Sequence, residues 1–332
     1  MTMRSAEDRA ETAGENRMAS QEEIMNRDHA SVETRGKTIN VPSAQINGGI
    51  VIVTGRLIKI AAIKDEYLLE DNPIGDPESF VSRLRESRLR ADIFTFTQRL
   101  PDTAPKYKYH LEWDSAAVTP ITNFSYWWER RAEYDVRKAV KRAKRLGVVV
   151  KSSEFDDAFV EGICRIYNES PVRQGKVFWH YRKDFNTVKR ENSTYLERSV
   201  FIGAYYKDEL IGFIRMVYVG TIATTLQVIS QKGHFDKKPM SALIAKAVEI
   251  CESKGVSHLV YGSYRNDDPN SSLTEFKRRN GFEEVLLPRY YIPLTLKGRI
   301  VLALRLHHGP AARIPKPLLN QLRKMRSRWY GR

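Results

Sequence analysis

The stretch that decides the fold runs from Val200 to Leu294. It opens with VFIGA (Val200–Ala204), turns through Lys207-Asp208-Glu209, and continues as LIGFIRMVYV (Leu210–Val219). Gly220 ends that run and ATTLQVIS (Ala223–Ser230) follows. Short apolar and β-branched runs separated by turn residues predict three strands joined as hairpins. A basic loop, Gln231–Lys238, then leads to a helix over Pro239–Lys254. Its apolar residues Leu243, Ile244, Ala247, Val248 and Cys251 form one stripe, and Gly255 stops it. HLVYGSY (His258–Tyr264) predicts a further strand, and Asp268–Asn280 a second helix. Asp268-Pro269 offers an N-cap with proline at the first position, and Ser272 with Glu275 a competing capping box. Leu273 and Phe276 face inward, Asn280-Gly281 is a left-handed stop, and GFEEVLLPRYYIPL (Gly281–Leu294) closes the order with a strand.

Working outward, residues 1–45 mix Glu, Arg, Ser, Asn and Ala with few large apolar groups and read as disordered. Gly48-Gly49 opens the folded part. Ile50–Gly55, Leu57–Ile63, Ile93–Thr97 and Tyr107–Trp113 predict strands, and Asp76-Pro77-Glu78 starts a helix to about Arg88. Phe124–Leu146 predicts one long helix. Tyr126, Trp127, Val136, Ala139, Val140 and Ala143 mark its apolar side, and Arg137, Lys138, Lys141, Arg142, Lys144 and Arg145 the rest. Asp156–Asn168 is a helix with Phe159, Ile163 and Ile166 inward. Residues 171–196 read as loop plus helix.

The 332 residues carry a formal charge of +15, unevenly placed: eleven Lys or Arg and no acid follow Glu284. That asymmetry predicts an anionic partner, whether membrane surface, nucleic acid or phosphorylated substrate. Two cysteines, Cys164 and Cys251, exclude a disulfide framework and predict buried thiols. No apolar run reaches the roughly 18 residues of a membrane span. The polar N-terminus, with Glu and Asp among its Arg, fits neither a secretory signal nor a transit peptide. The expected location is cytoplasmic, with peripheral contact at the inner membrane face left open. His307-His308 is not expected to bind metal, since neighbours on a helix diverge by about 100°. No metal site, Walker, Rossmann or Ser-His-Asp pattern is found.

The element order from Val200 to Leu294, closed by SSLTEFKRRNGF (Ser271–Phe282), resembles the GNAT (GCN5-related N-acyltransferase) fold. Tyr134–Val150 (YDVRKAVKRAKRLGVVV) resembles the basic helix joining two GNAT-like halves in FemAB-like proteins. The resemblance covers roughly Phe124 to Leu294. It implies an α/β (α+β) protein of mixed twisted sheets flanked by helices, in tandem GNAT-like halves. The divisions expected are 1–45 disordered, 46–150 a degenerate half with joining helix, 151–296 the acyltransferase half, and 297–332 a basic amphipathic extension. It also implies transfer of an acyl or aminoacyl group to an amine acceptor, for which a cell-envelope precursor is one candidate.

Sites implied by the resemblance are carried residue by residue. In GNAT enzymes the loop before the amphipathic helix cradles coenzyme A pyrophosphate on backbone N–H groups. Here that loop supplies Gln231, Lys232, Gly233, Lys237 and Lys238, with Val228 and Ser230 on the strand before it. It has one glycine where the family pattern Q/R-x-x-G-x-G/A has two, and Pro239 removes a donor. The expected donor is acyl-CoA, with aminoacyl-tRNA as the alternative, bound by Arg137–Arg145 and the C-terminal extension. Arg173–Tyr181 would wall the acceptor pocket, with Arg173, Trp179 and Arg215 as substrate contacts and His180 as base. Tyr264 and Tyr261 are candidate general acids where the leaving group emerges. Each has a plainer reading: a solvated basic turn, core aromatics, a packed tyrosine, an outward arginine. Lys297–Arg332 suits an anionic membrane, RNA phosphates or packing on the protein itself. A non-catalytic module binding anionic lipid or RNA is the reading from a different class; alanine at His180 and Tyr264 separates it from an enzyme.

Overall fold

The computed structural model describes residues 29–34, 36–173, 175–265 and 271–308. Within it the chain forms two compact units that are not consecutive in sequence. The first comprises residues 29–97, 107–111 and 289–308, and the second residues 98–106 and 112–288.

In the first unit the strand order is β1 (His29–Thr34), β2 (Lys37–Ile46), β3 (Gly49–Thr54), β4 (Ile60–Ile63), β5 (Ile93–Thr97) and the end of β14 (Glu283–Pro293). β4 and β5 run parallel and the other pairs antiparallel. Helix α1 (Pro77–Glu86) is capped by Asp76, which accepts from the Ser79 amide. It lays Phe80, Val81 and Leu84 on Val51, Val53, Phe94, Phe96 and Tyr290. The other side of β5 and β14 carries Ile93 and Tyr291 against helix α7 (Leu296–Ala303).

β1 and β2 correct the expectation that residues 1–45 are disordered; residues 1–28 lie outside the described residues. The segment was hard to read because, of its apolar residues before Ile46, Ala30 and Val41 are the buried ones, against Ile52. Backbone pairing and polar cross-strand contacts such as Ser31 with Asn40 (2.9 Å) hold the rest.

In the second unit the order is β6 (His110–Pro120), β13 (His258–Ser263), β12 (Ile222–Ser230), β11 (Glu209–Val219), β10 (Ser199–Tyr206) and β7 (Val149–Ser153). β10 and β11 join through Lys207 and Asp208, both left-handed (φ 50° and 64°), the two-residue turn that suits strand twist. One sheet face is covered by α5 (Pro239–Ser253), whose Leu243, Ile244, Ala247 and Val248 pack on Ile202, Ile214 and Met216. The other is covered by α3 (Asp157–Asn168) and α4 (Phe185–Asn192), whose Phe159, Ile163, Ile166 and Val188 meet Phe201 and Phe213. Alternate residues of β11 thus serve opposite layers. Between α3 and α4 a small hairpin, β8 (Val172–Arg173) with β9 (Lys176–Val177), turns the chain.

The single helix expected over Phe124–Leu146 is broken. A helical turn at Phe124–Tyr126 passes into a π-helical turn, Trp127–Arg131, and α2 (Tyr134–Arg145) starts after Ala132 goes extended. Tertiary contacts outweigh helix propensity here. Trp127 is fully buried and donates from Nε1 to the Asn280 carbonyl (3.0 Å), while Arg137 donates to the carbonyls of Trp128 and Ala132 exposed by the break. Helix α6 (Ser272–Arg279) begins later than expected: Ser271 is its cap, accepting from the Thr274 amide. The Asp268-Pro269 alternative and the C-terminal pieces around Pro310 and Pro315 fall outside the described residues.

Candidate active site

The centre of the second unit is a gap between two parallel strands. β12 and β13 pair only at Ile222↔His258, Ala223↔Leu259 and Thr224↔Val260. Beyond that β12 continues to Ser230 and β13 to Ser263 with no further pairing between them. On its other edge β12 stays paired with β11 as far as Gly212↔Ser230. A bulge there sets Arg215 against Gln227 and Met216 against Thr225, leaving Leu226 over. A bulge re-aims backbone groups and bends its strand, and this one sits where the strands part. The gap is therefore edged by backbone polar groups, the kind of surface that polarises an acyl carbonyl.

The same unit holds an open cleft of about 550 Å³, lined by α2, the segment before α5, the start of α5 and the end of α6. Lys138 and Arg142 come from α2, Lys238 from the segment before α5, and Arg279 from α6. Arg279 is paired with Glu275 (2.7 Å); Lys138, Arg142 and Lys238 have no carboxylate partner among the described residues. α5 begins here with Lys238 left-handed (φ 58°), Pro239 at its first position and no side-chain cap. An uncapped start of a 15-residue helix facing three cations is an environment for phosphate. Phe276 lines the cleft, and its ring stands 6.5 Å from that of Tyr261.

Against Tyr261 sits the most perturbed amine of the unit. Lys277 is 2 % exposed; its Nζ donates to the Ser263 carbonyl at the end of β13 (2.5 Å) and lies 4.8 Å above the Tyr261 ring. Burial without a carboxylate drives its pKa down to about 8, so the ammonium can release its proton near neutral pH. Nothing in the reading of the sequence singled it out among Lys277-Arg278-Arg279. The available signal was its helix position: four residues after Leu273 and next to Phe276, it falls on the inward stripe, where a lysine is out of place.

Tyr261 and Tyr264 both pack against the α5 layer, and burial pushes the Tyr261 phenol up. Tyr264 is fixed by its backbone, its amide donating to Ser115 and its carbonyl accepting from Thr274. His180 is on the opposite sheet face, ringed by Tyr167 (4.7 Å) and Phe178 (5.3 Å). Its Nδ1 is 3.7 Å from Glu191, and its Nε2 is 3.5 Å from the Gln227 amide on β12. It is not brought together with the tyrosines, but it does reach the same splayed strand from the other side. Trp179 beside it is 39 % exposed.

Arg173 and Arg215 are bound inside the protein. Arg173 donates to the carbonyls of Ser230 (2.8 Å) and Ile166 (2.6 Å), pairs with Glu169 (3.1 Å) and stacks on Phe178. Arg215, 3 % exposed, donates to the carbonyls of Glu191 and Thr194, and burial lowers its pKa to about 10. Both hold loops around α3 and α4 by hydrogen bonds to the protein's own carbonyls.

The loop expected to cradle phosphate is already filled. The amides of Lys232 and Gly233 donate to the two oxygens of Glu169 (2.8 and 3.0 Å), and Lys232 Nζ binds Ser170 and Val172. Gln231 donates to Glu209, Lys237 lies over Tyr206, and Ser230 is buried. Val228 packs toward the α5 layer. Of the expected loop residues only Lys238 lines the cleft; its other cations come from α2 and α6, which are remote in sequence. Cys164 and Cys251 are unsuited to nucleophilic attack, since burial raises both thiols, Cys251 to about 12.

Solved structures share the fold. The C-terminal DUF2156 domain of a putative lysylphosphatidylglycerol synthetase from Agrobacterium fabrum superposes with a TM-score of 0.51 at 12% identity, over 84% of this chain and 89% of that one. L-PGS from Bacillus licheniformis gives 0.52 at 14%, over 84% and 89%. The fold is GNAT-like, an α/β architecture of mixed sheet flanked by helices. A PaiA N-acetyltransferase from Thermoplasma acidophilum, solved with coenzyme A, covers 44% of this chain and 99% of its own, with a TM-score of 0.32 at 17% identity. No protein-family model and no curated sequence matches the chain.

Proposed function

We propose that the chain is an acyltransferase that moves an acyl or aminoacyl group from a phosphate-bearing donor to an amine. The observation that carries this is the three-residue pairing of β12 with β13, which opens a gap in the unit that also holds the cleft of Lys138, Arg142 and Lys238, with Lys277 bound to the end of β13. Donor phosphates would rest on Lys138, Arg142, Lys238 and the start of α5. The acyl carbonyl would enter between the strands, polarised by backbone N–H groups of β12. The amine would approach from the α3–α4 side, where His180 reaches Gln227. Protonated Lys277, at about pKa 8, would supply the proton that the departing group needs.

Two donors fit this chemistry: the acyl-CoA expected from the sequence, and aminoacyl-tRNA. The position of Glu169 favours aminoacyl-tRNA. Its carboxylate takes the amides on which a GNAT loop would hold pyrophosphate, leaving phosphate recognition to side-chain cations on a broad basic surface. The neighbour described as a putative lysylphosphatidylglycerol synthetase favours an aminoacyl donor. A cell-envelope precursor remains the acceptor class we propose.

The test is paired titration with coenzyme A and with a mixed pool of aminoacylated tRNA at two salt concentrations. Salt-sensitive tRNA binding with no response to coenzyme A supports the aminoacyl reading. Coenzyme A binding that survives salt returns the donor to acyl-CoA. Neither response removes the transferase reading and favours a binding module.

A further inference from the structure

We propose that α7 and the loop before β4 form a docking surface for an anionic lipid bilayer. This inference is independent of the transfer reading, because it concerns only the first unit. Leu296, Ile300 and Leu304 are 75 %, 60 % and 57 % exposed at a spacing of four, so they share one helix face. Leu57, 84 % exposed, is the most exposed large apolar residue described. Lys297 ties the two together, its Nζ binding the Leu57 carbonyl and Asp92 (3.1 Å).

The helix cannot turn this face inward. Val301 and Leu302 are already buried against Ile93 and Tyr291. Gly298 lies so close to the sheet that a Cβ would stand 2.0 Å from the Asp92 carbonyl oxygen. Thr295 caps the start of the helix and accepts from the Gly298 amide (3.0 Å), which fixes its rotation. The apolar face is therefore held outward by the packing of the opposite one.

Charge identifies the occupant. Arg56, Lys59, Arg299 and Arg305 are exposed around the apolar residues, and α7 carries no acid. The helix closes with Arg305 itself left-handed (φ 52°), its amide donating to Leu302 and the Leu306 amide to Val301. A second copy would set these cations against themselves, at an electrostatic cost. The segment after His308 has no acid either and offers no complement. An anionic bilayer meets both requirements, with apolar side chains at the acyl boundary and cations at the lipid phosphates. The surface would lie on the membrane and not cross it; no helix of the described residues is long and apolar enough to cross.

The experiment is co-sedimentation of the full chain with vesicles of phosphatidylcholine alone and of phosphatidylcholine with phosphatidylglycerol. Binding is expected to the mixed vesicles and to weaken with salt. Leu57→Gln with Ile300→Gln and Leu304→Gln should lower the partition coefficient by about tenfold or more, and Arg299→Glu by about fivefold or more. All four positions are exposed, so the melting temperature should not move. The proposal is overturned if the wild type ignores the mixed vesicles. It is overturned equally if the triple variant partitions as the wild type does, because other cations then carry the binding. A wild-type dimer that the triple variant converts to monomer would assign the face to a second copy instead.

Discussion

Replacing Lys277 with methionine should make the protein more stable and sharply slow transfer, and the pH dependence shows why. An ordinary lysine has a pKa of 10.5, and burial lowers that of Lys277 to about 8. The gap corresponds to about 3 kcal/mol by which the folded state disfavours the ammonium. A depressed lysine penalises folding fully below pH 8, where both states are protonated. Between pH 8 and 10.5 the folded chain has lost the proton and the unfolded chain has not, so wild-type stability rises with pH. Above 10.5 the penalty is gone. Methionine fills a similar volume without charge and gives up the hydrogen bond to Ser263, which contributes about 1–2 kcal/mol. The net gain at pH 7 is about 1–2 kcal/mol. Urea titrations of both proteins at pH 7, 8, 9 and 10 measure it. The variant's advantage should shrink as pH rises, whatever other groups titrate, because those are common to both proteins. Parallel curves, or a variant less stable than wild type at every pH, would show that Lys277 is not held in a desolvated site. In the same pair, transfer by the wild type should decline above about pH 8 as the proton leaves, with residual activity in the variant showing no such limb.

Gly281→Ala should cost about 1–3 kcal/mol, read by chemical denaturation: the residue is left-handed (φ 80°) and a Cβ would stand 2.8 Å from Arg131 Cβ. No loss would mean the stop of α6 shifts freely. Ser271→Ala removes the cap of α6 and should cost about 1 kcal/mol, with faster hydrogen exchange at the Thr274 amide. Arg142→Ala with Lys138→Ala should reduce the slope of log K against log salt for donor binding by about one per lost phosphate contact; an unchanged slope would place the phosphates elsewhere.

The parts of the fold legible in the sequence are those set by local alternation. β10, β11, β12 and β13 fall within a residue or two of the runs ending at Ala204, Val219, Ser230 and Tyr264, since each is a half-buried or buried strand bounded by turn residues. Their order sufficed to indicate a GNAT-like fold. What was not legible depends on contacts distant in sequence. The break after Arg131 follows from Trp127 reaching Asn280 and from Arg131 packing on Gly281, about 150 residues away. β1 and β2 carry too little apolar surface to stand out. The phosphate loop looked available because its lysines are visible in sequence, whereas the carboxylate that fills it, Glu169, is 63 residues from Lys232. The cations that do line the cleft looked like an ordinary solvated helix face.

Arg173 has a mechanical consequence. One rigid guanidinium holds the carbonyl at the end of β12 and the carbonyl of Ile166 near the end of α3, and is braced by Glu169, which also grips the loop leading to α5. The tip of one gap strand, the end of α3 and the approach to the start of α5 are thereby fastened at one point. A displacement of any of the three is transmitted to the other two without an intervening hinge. An acceptor that pushes on α3 would therefore change the width of the gap itself, and acceptor size would be felt in the rate of transfer as well as in affinity.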